Sequence, residues 1–234
     1  MTSKNIRICC IVPAAGIGER MKTNVPKQYL PFRLSTVLDH TLERLLSCAR
    51  IEKIIVVINK DDSYWPSSGF FKDPRITQVV GGRERSDSVL NGLVVAEETY
   101  GEDAWVLVHD AARPCIMASD IDLLIEDAVA TDQGTILAAP VHDTVKKVSK
   151  SSLETLNRKI IFRALTPQMF QLGQLKNAIA NASATRKPVT DEAHAVELMG
   201  GSIGFVEGRT DNIKITTSSD LSLADYYVEK QENS

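Results

Sequence analysis

The chain has 234 residues, 27 basic against 30 acidic side chains, and a formal charge of −3. That length suits one α/β domain with a substantial buried core, and the charge balance argues against a nucleic-acid binder, which needs a basic field. No apolar run approaches the length that spans a bilayer, and no C-x-x-C pair joins Cys9, Cys10, Cys48 and Cys115, so the expectation is a cytoplasmic protein with buried free thiols rather than a zinc or redox motif.

The first apolar run, 6–12, predicts a buried strand with Cys9 and Cys10 on opposite faces. It ends in the small-residue loop Pro13-Ala14-Ala15-Gly16-Ile17-Gly18. A leucine stripe predicts a helix over 36–49. β-branched residues predict strands at 54–58 and 76–80, with a loop over 60–74. Gly81-Gly82 breaks the chain before a helix at 86–98, and a strand at 105–108 stops at His109-Asp110. A helix containing Ile121, Leu124, Ile125 and Ala128 leads to a strand at 135–139. This alternation reads as a mostly parallel sheet with helices on both faces. The rhythm changes over 141–161, which is charged and lacks a helix stripe, so a β-arm leaving the body is expected there. Helices at 172–182, 191–199 and 219–227 and strands at 203–206 and 213–216 complete a single domain over 1–234.

Four regions carry possible chemistry. The loop after the first strand has the small residues that let backbone N–H groups approach phosphate, but it lacks both the Walker G-K-[ST] and the third glycine of the dinucleotide fingerprint, where Met21 stands. Arg20 and Lys27 flank it as an anion-binding pair, the alternative being a tight turn beside a solvated surface. In the second region the backbone groups of Gly81 and Gly82 could read a base edge and Ser88 add a hydroxyl, while Ser86 could simply cap a helix. The third, His109-Asp110-Ala111-Ala112-Arg113-Pro114, puts an acid at the carboxyl end of a strand, where open α/β sheets bind ligands and where an aspartate can hold Mg2+ beside phosphates; a local Asp110–Arg113 turn contact is the plain alternative. The fourth is scattered: Thr144 and Arg158 in or near the arm, Thr166-Pro167-Gln168 as a turn or helix start, Thr190 as a helix cap, and Asp211-Asn212-Ile213-Lys214, where Lys214 faces either solvent or a cleft.

In this order the blocks resemble the 2-C-methyl-D-erythritol 4-phosphate cytidylyltransferase family of the non-mevalonate isoprenoid pathway. The pieces are Pro13-Ala14-Ala15-Gly16 with Gly18, Arg20 and Met21; Pro26-Lys27-Gln28-Tyr29; Gly81-Gly82 with Arg85 and Ser88; Val108 to Pro114; Ala164-Leu165-Thr166-Pro167-Gln168; Thr190-Asp191-Glu192; and Asp211-Asn212-Ile213-Lys214. Glu19, Arg83 and Phe162-Arg163 depart from the family pattern.

The resemblance implies a Rossmann-like, glycosyltransferase-A-like nucleotidyltransferase fold whose protruding β-arm, 141–161, interlocks with a second copy in a homodimer. It implies transfer of CMP from CTP to 2-C-methyl-D-erythritol 4-phosphate with Mg2+ or another divalent ion, releasing pyrophosphate. Arg20, Lys27 and Lys214 are then the catalytic cations. Pro13, Ala14, Ala15, Gly16, Gly18, Gly82 and Ser88 hold the nucleotide. Asp110, Arg113, Thr144, Arg158, Thr166, Thr190 and Asp211 meet the acceptor, and Asp110 also supports the metal. The competing readings are a cytidylyltransferase for another polyol phosphate such as ribitol 5-phosphate, and a nucleotide-binding protein without catalysis; a dinucleotide oxidoreductase is disfavoured by the missing glycine.

Overall fold

A computed structural model describes residues 6–16 and 25–233. Its centre is a seven-stranded sheet built from β1 (Ile8–Pro13), β4 (Lys53–Ile58), β5 (Ile76–Val80), β6 (Trp105–Val108), β7 (Thr135–Pro140), β10 (Phe162–Gln171) and β11 (Gly204–Glu207). The strand order is β11-β7-β10-β6-β1-β4-β5. All neighbours are parallel except β10, which runs antiparallel to both β7 and β6. Two short hairpins stand apart: β2 (Pro31–Phe32) with β3 (Ser35–Thr36), and β8 (Lys146–Val148) with β9 (Leu153–Thr155).

The strands are nearly continuous apolar runs because both faces are covered. On one face Cys10, Val12, Ile54, Val56 and Leu107 pack with Leu38, Leu42 and Leu45 of α1 (Val37–Leu46) and with Ile121, Leu124 and Ile125 of α3 (Ala118–Thr131). On the other, Cys9, Ile11, Ile55, Val57, Val106 and Val108 meet Val89, Leu93 and Ala96 of α2 (Arg85–Tyr100) and Leu175 and Ile179 of α4 (Leu172–Ala184). Cys9 and Cys10 thus divide between the two cores, and all four cysteines are buried and free. Alternation along each strand sends successive side chains to opposite layers. α5 (Glu192–Leu198) joins the second layer, and α6 (Ser218–Glu232) closes a smaller core through Ala224 and Val228 against Phe32, Val37, Cys115 and Ile215. Among the described residues no helix is long and apolar enough to cross a membrane.

After β1 the chain builds outward through β4 and β5, then returns to place β6 on the other side of β1. Strand order therefore reverses between β1 and β6, and the crevice at a topological switch point is the usual ligand site of such sheets.

Four local expectations are corrected. Residues 213–216 form no strand; a backbone bond from Ile215 N–H to the Ala112 carbonyl (2.8 Å) ties an irregular segment to the loop after β6. Thr166-Pro167 is neither a turn nor a helix start but lies inside β10, where residues 165–167 stand against Leu137 alone in a bulge. A proline inside a sheet is tolerated at such a bulge, where no ladder bond is required of it. α2 is capped by Glu84 rather than Ser86, through a reciprocal box in which Glu84 accepts from Asp87 N–H and Asp87 accepts from Glu84 N–H. The cap of α5 is Asp191, which accepts from His194 N–H (2.9 Å), and not Thr190.

The segment 141–161 carries the β8–β9 hairpin and lies almost wholly at the surface, with Val148, Leu153 and Ile160 exposed. α2 meets the sheet more closely than any branched side chain allows. A Cβ at Gly92 would stand 2.9 Å from Ile11 Cγ2 and 3.2 Å from Val57 Cγ2. Gly92→Val is expected to cost about 1–3 kcal/mol by overpacking, read as a lower urea midpoint with unchanged slope.

Candidate functional site

The crevice at the switch point is a cleft of about 390 Å³. One wall is Pro13 to Gly16 after β1, a second is Gly82 to Arg85 with Ser88, and the floor is Asp110 to Ala112 after β6. Lys27, Gln28, Lys214 and Thr216 close it.

The two loop walls are locked together. A Cβ at Gly81 would stand 2.6 Å from Ala15 Cβ and 2.8 Å from Ser88 Oγ, so only glycine lets the strands' ends approach. Buried Ser88 accepts the Gly82 N–H (3.1 Å) and donates to the Glu84 carbonyl (3.1 Å). Gln28 donates to the carbonyls of Ala14 (2.7 Å) and Gly16 (3.0 Å), fixing the first loop from below. Lys27, on the same 3-10 turn Lys27–Tyr29, donates to the Ile215 carbonyl (3.0 Å), so that turn is tied to the segment carrying Lys214.

The floor is an ionic cluster. Asp110 Oδ1 accepts from Arg85 Nε (3.2 Å), and Oδ2 accepts from Lys214 Nζ (2.9 Å) and Arg113 Nε (3.3 Å). Burial alone raises the Asp110 carboxyl, but Arg85, Lys214 and Arg113 together outweigh it and hold the group well below the usual carboxylate range. Arg85 also grips Glu192 with both ends of its fork, Nη1 to Oε1 at 2.6 Å and Nη2 to Oε2 at 3.1 Å. Arg113 is anchored behind by the Asn212 carbonyl (2.8 Å).

Beneath the floor, β10 supplies the support. Thr166 Oγ1 accepts the Asp110 N–H (3.0 Å) and contacts His109 Nδ1 (3.2 Å), while His109 Nε2 meets the Arg113 carbonyl at 3.1 Å. A carbonyl only accepts, so Nε2 carries the proton and Nδ1 accepts from the Thr166 hydroxyl. His109 is therefore neutral and structural; burial pushes it down to about 4. Gln168 donates to Asp191 Oδ2 (3.0 Å) and accepts from Ala193 N–H (2.9 Å), bracketing Glu192 from both sides.

The structure thus brings Pro13, Ala14, Ala15, Gly16, Lys27, Gly82, Ser88, Asp110 and Lys214 to one cleft. Gly18 and Arg20 lie outside the described residues. Arg113 and Thr166 are buried under Asp110 rather than lining the cleft. Asp211 does not line the cleft either; it pairs with Arg209 (2.5 Å) and Gln231 (3.2 Å). Exposed Thr190 contacts His194 (3.1 Å), and Thr144 and Arg158 are exposed on the arm, Arg158 donating to the His142 carbonyl. Arg85 and Glu192 have no site role in the sequence reading, although both sit inside the blocks that carry the resemblance.

Among the described residues no group of three or more His, Cys, Asp or Glu forms a cage for a divalent ion. Mg2+ bound through substrate phosphates needs only one or two protein carboxylate oxygens. Asp110 stands at the floor with both oxygens engaged by Arg85, Arg113 and Lys214, so it offers one to an ion when Lys214 moves off Oδ2; Glu84, the other cleft-lining carboxylate, caps α2. The residues fit an ion that arrives with a polyphosphate.

Lysines on two sides of a glycine-walled cleft, at the switch point of a doubly wound sheet, define a polyphosphate-binding α/β protein of the nucleotidyltransferase type. The sequence pattern of the IspD family, 2-C-methyl-D-erythritol 4-phosphate cytidylyltransferase, matches residues 8–230. The chain is 45% identical to the enzyme of that name from Vibrio atlanticus over 99% of this chain and 100% of the relative. It is 46% identical to that from Shewanella amazonensis over 99% and 97%. The crystal structure of the Francisella tularensis enzyme superposes with a TM-score of 0.81 at 38% identity, covering 94% of this chain and 99% of that one. The chain belongs to the 2-C-methyl-D-erythritol 4-phosphate cytidylyltransferase family.

Because folded His109 resists protonation until about pH 4 while the unfolded residue takes its proton near 6.5, its neutral burial supports the fold fully above pH 6.5. That support is lost as the pH falls from 6.5 towards 4. Urea midpoints measured across this interval should fall more steeply for the unsubstituted protein than for His109→Gln; parallel profiles would show that His109 does not carry the linkage.

Proposed function

We propose that the protein transfers CMP from CTP to 2-C-methyl-D-erythritol 4-phosphate, giving 4-diphosphocytidyl-2-C-methyl-D-erythritol and pyrophosphate. The observation that carries this reading is the convergence of Lys27 and Lys214 on a cleft between the small-residue loop and Asp110, in a chain whose relatives bear that enzyme's name over their full length.

The chemistry sets the demand. An acceptor phosphate is already an oxyanion near neutral pH and needs no strong general base. It must be held in line with the α-phosphorus of CTP, and the approach of two anions is the main obstacle. Fixed positive charge aimed at the developing charge lowers that barrier without reorganisation. Lys27, tethered to the Ile215 carbonyl, is proposed to meet the departing pyrophosphate side. Lys214, a point charge at the end of a flexible stem, is proposed to meet the α-phosphate. Arg20 is kept in the triphosphate set on sequence grounds. Ala14, Ala15, Gly82 and Ser88 form the wall proposed for cytosine and ribose. The buried thiols have no part: burial pushes Cys9 and Cys115 up to about 12, so neither supplies a thiolate nucleophile.

Asp110 is the residue proposed to hold Mg2+. A bound divalent ion would supply charge neutralisation across the phosphates. The acceptor side is proposed to include Asp110, with Arg113 and Thr166 behind it. Thr144 and Arg158 sit on the exposed arm, and they would reach an acceptor only in a neighbouring copy. The exposed Val148 and Leu153 on the hairpin support an arm-mediated homodimer, and the ordinary composition and free thiols support a cytoplasmic setting.

The decisive assay supplies purified protein with CTP, Mg2+ and methylerythritol phosphate. Acceptor-dependent pyrophosphate and the diphosphocytidyl adduct are expected, and their absence would refute the reading. Lys27→Ala should lower kcat by about 10²–10³ at saturating CTP while the protein remains folded, as circular dichroism would show. Sedimentation should give a dimer that Val148→Asp with Leu153→Asp disrupts; an active monomer at assay concentration would contradict a shared site.

A further inference from the structure

Three cations share Asp110, but their tethers differ. Arg113 is buried and has a second anchor at the Asn212 carbonyl (2.8 Å). Arg85 is locked on its far side by the two oxygens of Glu192. Lys214 has its side chain 34% exposed, lines the cleft, and reaches Asp110 through one nitrogen at 2.9 Å. Of the three, Lys214 alone is built to leave.

Arg85 also lines the cleft, with 31% of its side chain exposed. An untethered guanidinium there would turn to an incoming triphosphate, since its planar fork matches phosphate better than an ammonium does. It would then leave Asp110, and Lys214 would be the cation left holding the buried carboxylate. The tether that prevents this is almost wholly inaccessible: the Glu192 side chain is 2% exposed. Its place is set independently of Arg85, because Gln168 holds the residues on both sides of it, Asp191 and Ala193.

We infer that Glu192 is a positioning residue that decides which cation moves: by clamping Arg85 onto Asp110 it releases Lys214 to the phosphates of the nucleotide. This rests on the proposed transfer reaction. A buried carboxylate stripped of its partners is strongly destabilising, so Lys214 can swing away at small cost only while Arg85 and Arg113 stay. Asp110 then serves as the resting place of Lys214 between turnovers. The role differs from that of a substrate-binding acid, for Glu192 lies behind Arg85 and is absent from the cleft wall.

The test is a double-mutant cycle. Glu192→Gln keeps the shape and removes the charge and one acceptor. It should lower kcat at least tenfold, while CTP binding measured by calorimetry without acceptor weakens less than threefold or tightens, because Arg85 is freed to bind phosphate. Arg85→Lys, which keeps charge but cannot fork, should give the same split, and Glu192→Asp should recover part of kcat. In a Lys214→Ala background, Glu192→Gln should lower kcat less than threefold further, since the cation that it releases is gone. A full additional tenfold loss there, or near-normal kcat in Glu192→Gln, would overturn the inference. If Glu192→Gln does not fold, the Arg85→Lys cycle with Lys214→Ala decides by the same criteria. Absence of CMP transfer by the unsubstituted protein would instead sink the proposed reaction.

Discussion

One buried carboxylate organises the site. Asp110 stands where β6 ends, its backbone N–H held by Thr166 and its two oxygens shared among Arg85, Arg113 and Lys214. In the low dielectric beneath the cleft a lone carboxylate would be expensive, and so would three clustered cations. Each side makes the other tolerable. The cluster draws its members from the start of α2, the loop after β6 and the segment before α6, so a single charge balance fixes the mutual position of distant parts of the chain.

The sheet explains why these parts meet. β1 and β6 are neighbours whose outgoing connections diverge, which leaves a gap at their carboxyl ends. The antiparallel β10, on the other side of β6, brings the middle of a strand rather than its end beside the floor of the cleft. Thr166 and Gln168 thereby support the floor and the start of α5 from a single segment.

Most of the architecture is legible in local pattern. The β-branched Lys53–Ile58 and the apolar Trp105–Val108 announce strands, and the leucines of Val37–Leu46 announce an amphipathic helix. The misreadings share a cause. Ile213-Lys214-Ile215 alternates as a strand does, but the alternation records a buried Ile215 under α6 and a Lys214 turned to the cleft, with no ladder partner. Pro167 signals a break, and the bulge against Leu137 absorbs it. Glu84 is an unusual cap, so the adjacent Ser86 is the more obvious choice until the Asp87 partner is seen. Pro13 to Gly16, Gly82 and Ser88 are readable because small residues after strands have a physical reason to face phosphate. The Arg85–Glu192 pair is not, since residues 107 apart meet only through the completed topology.

The bulge in β10 also governs where the chain tolerates length variation. Four positions at the tip of the arm, 149–152, turn in solvent and bond mainly to one another, so insertions there leave the body undisturbed. A dozen residues later the situation reverses. Removing one residue between Ala164 and Gln168 would alter the three-against-one bulge that aims Thr166 at Asp110 and Gln168 at the start of α5. A change of length at the arm's tip would thus be felt between copies of the chain in the proposed dimer, whereas one in β10 would be felt at the floor of the cleft itself.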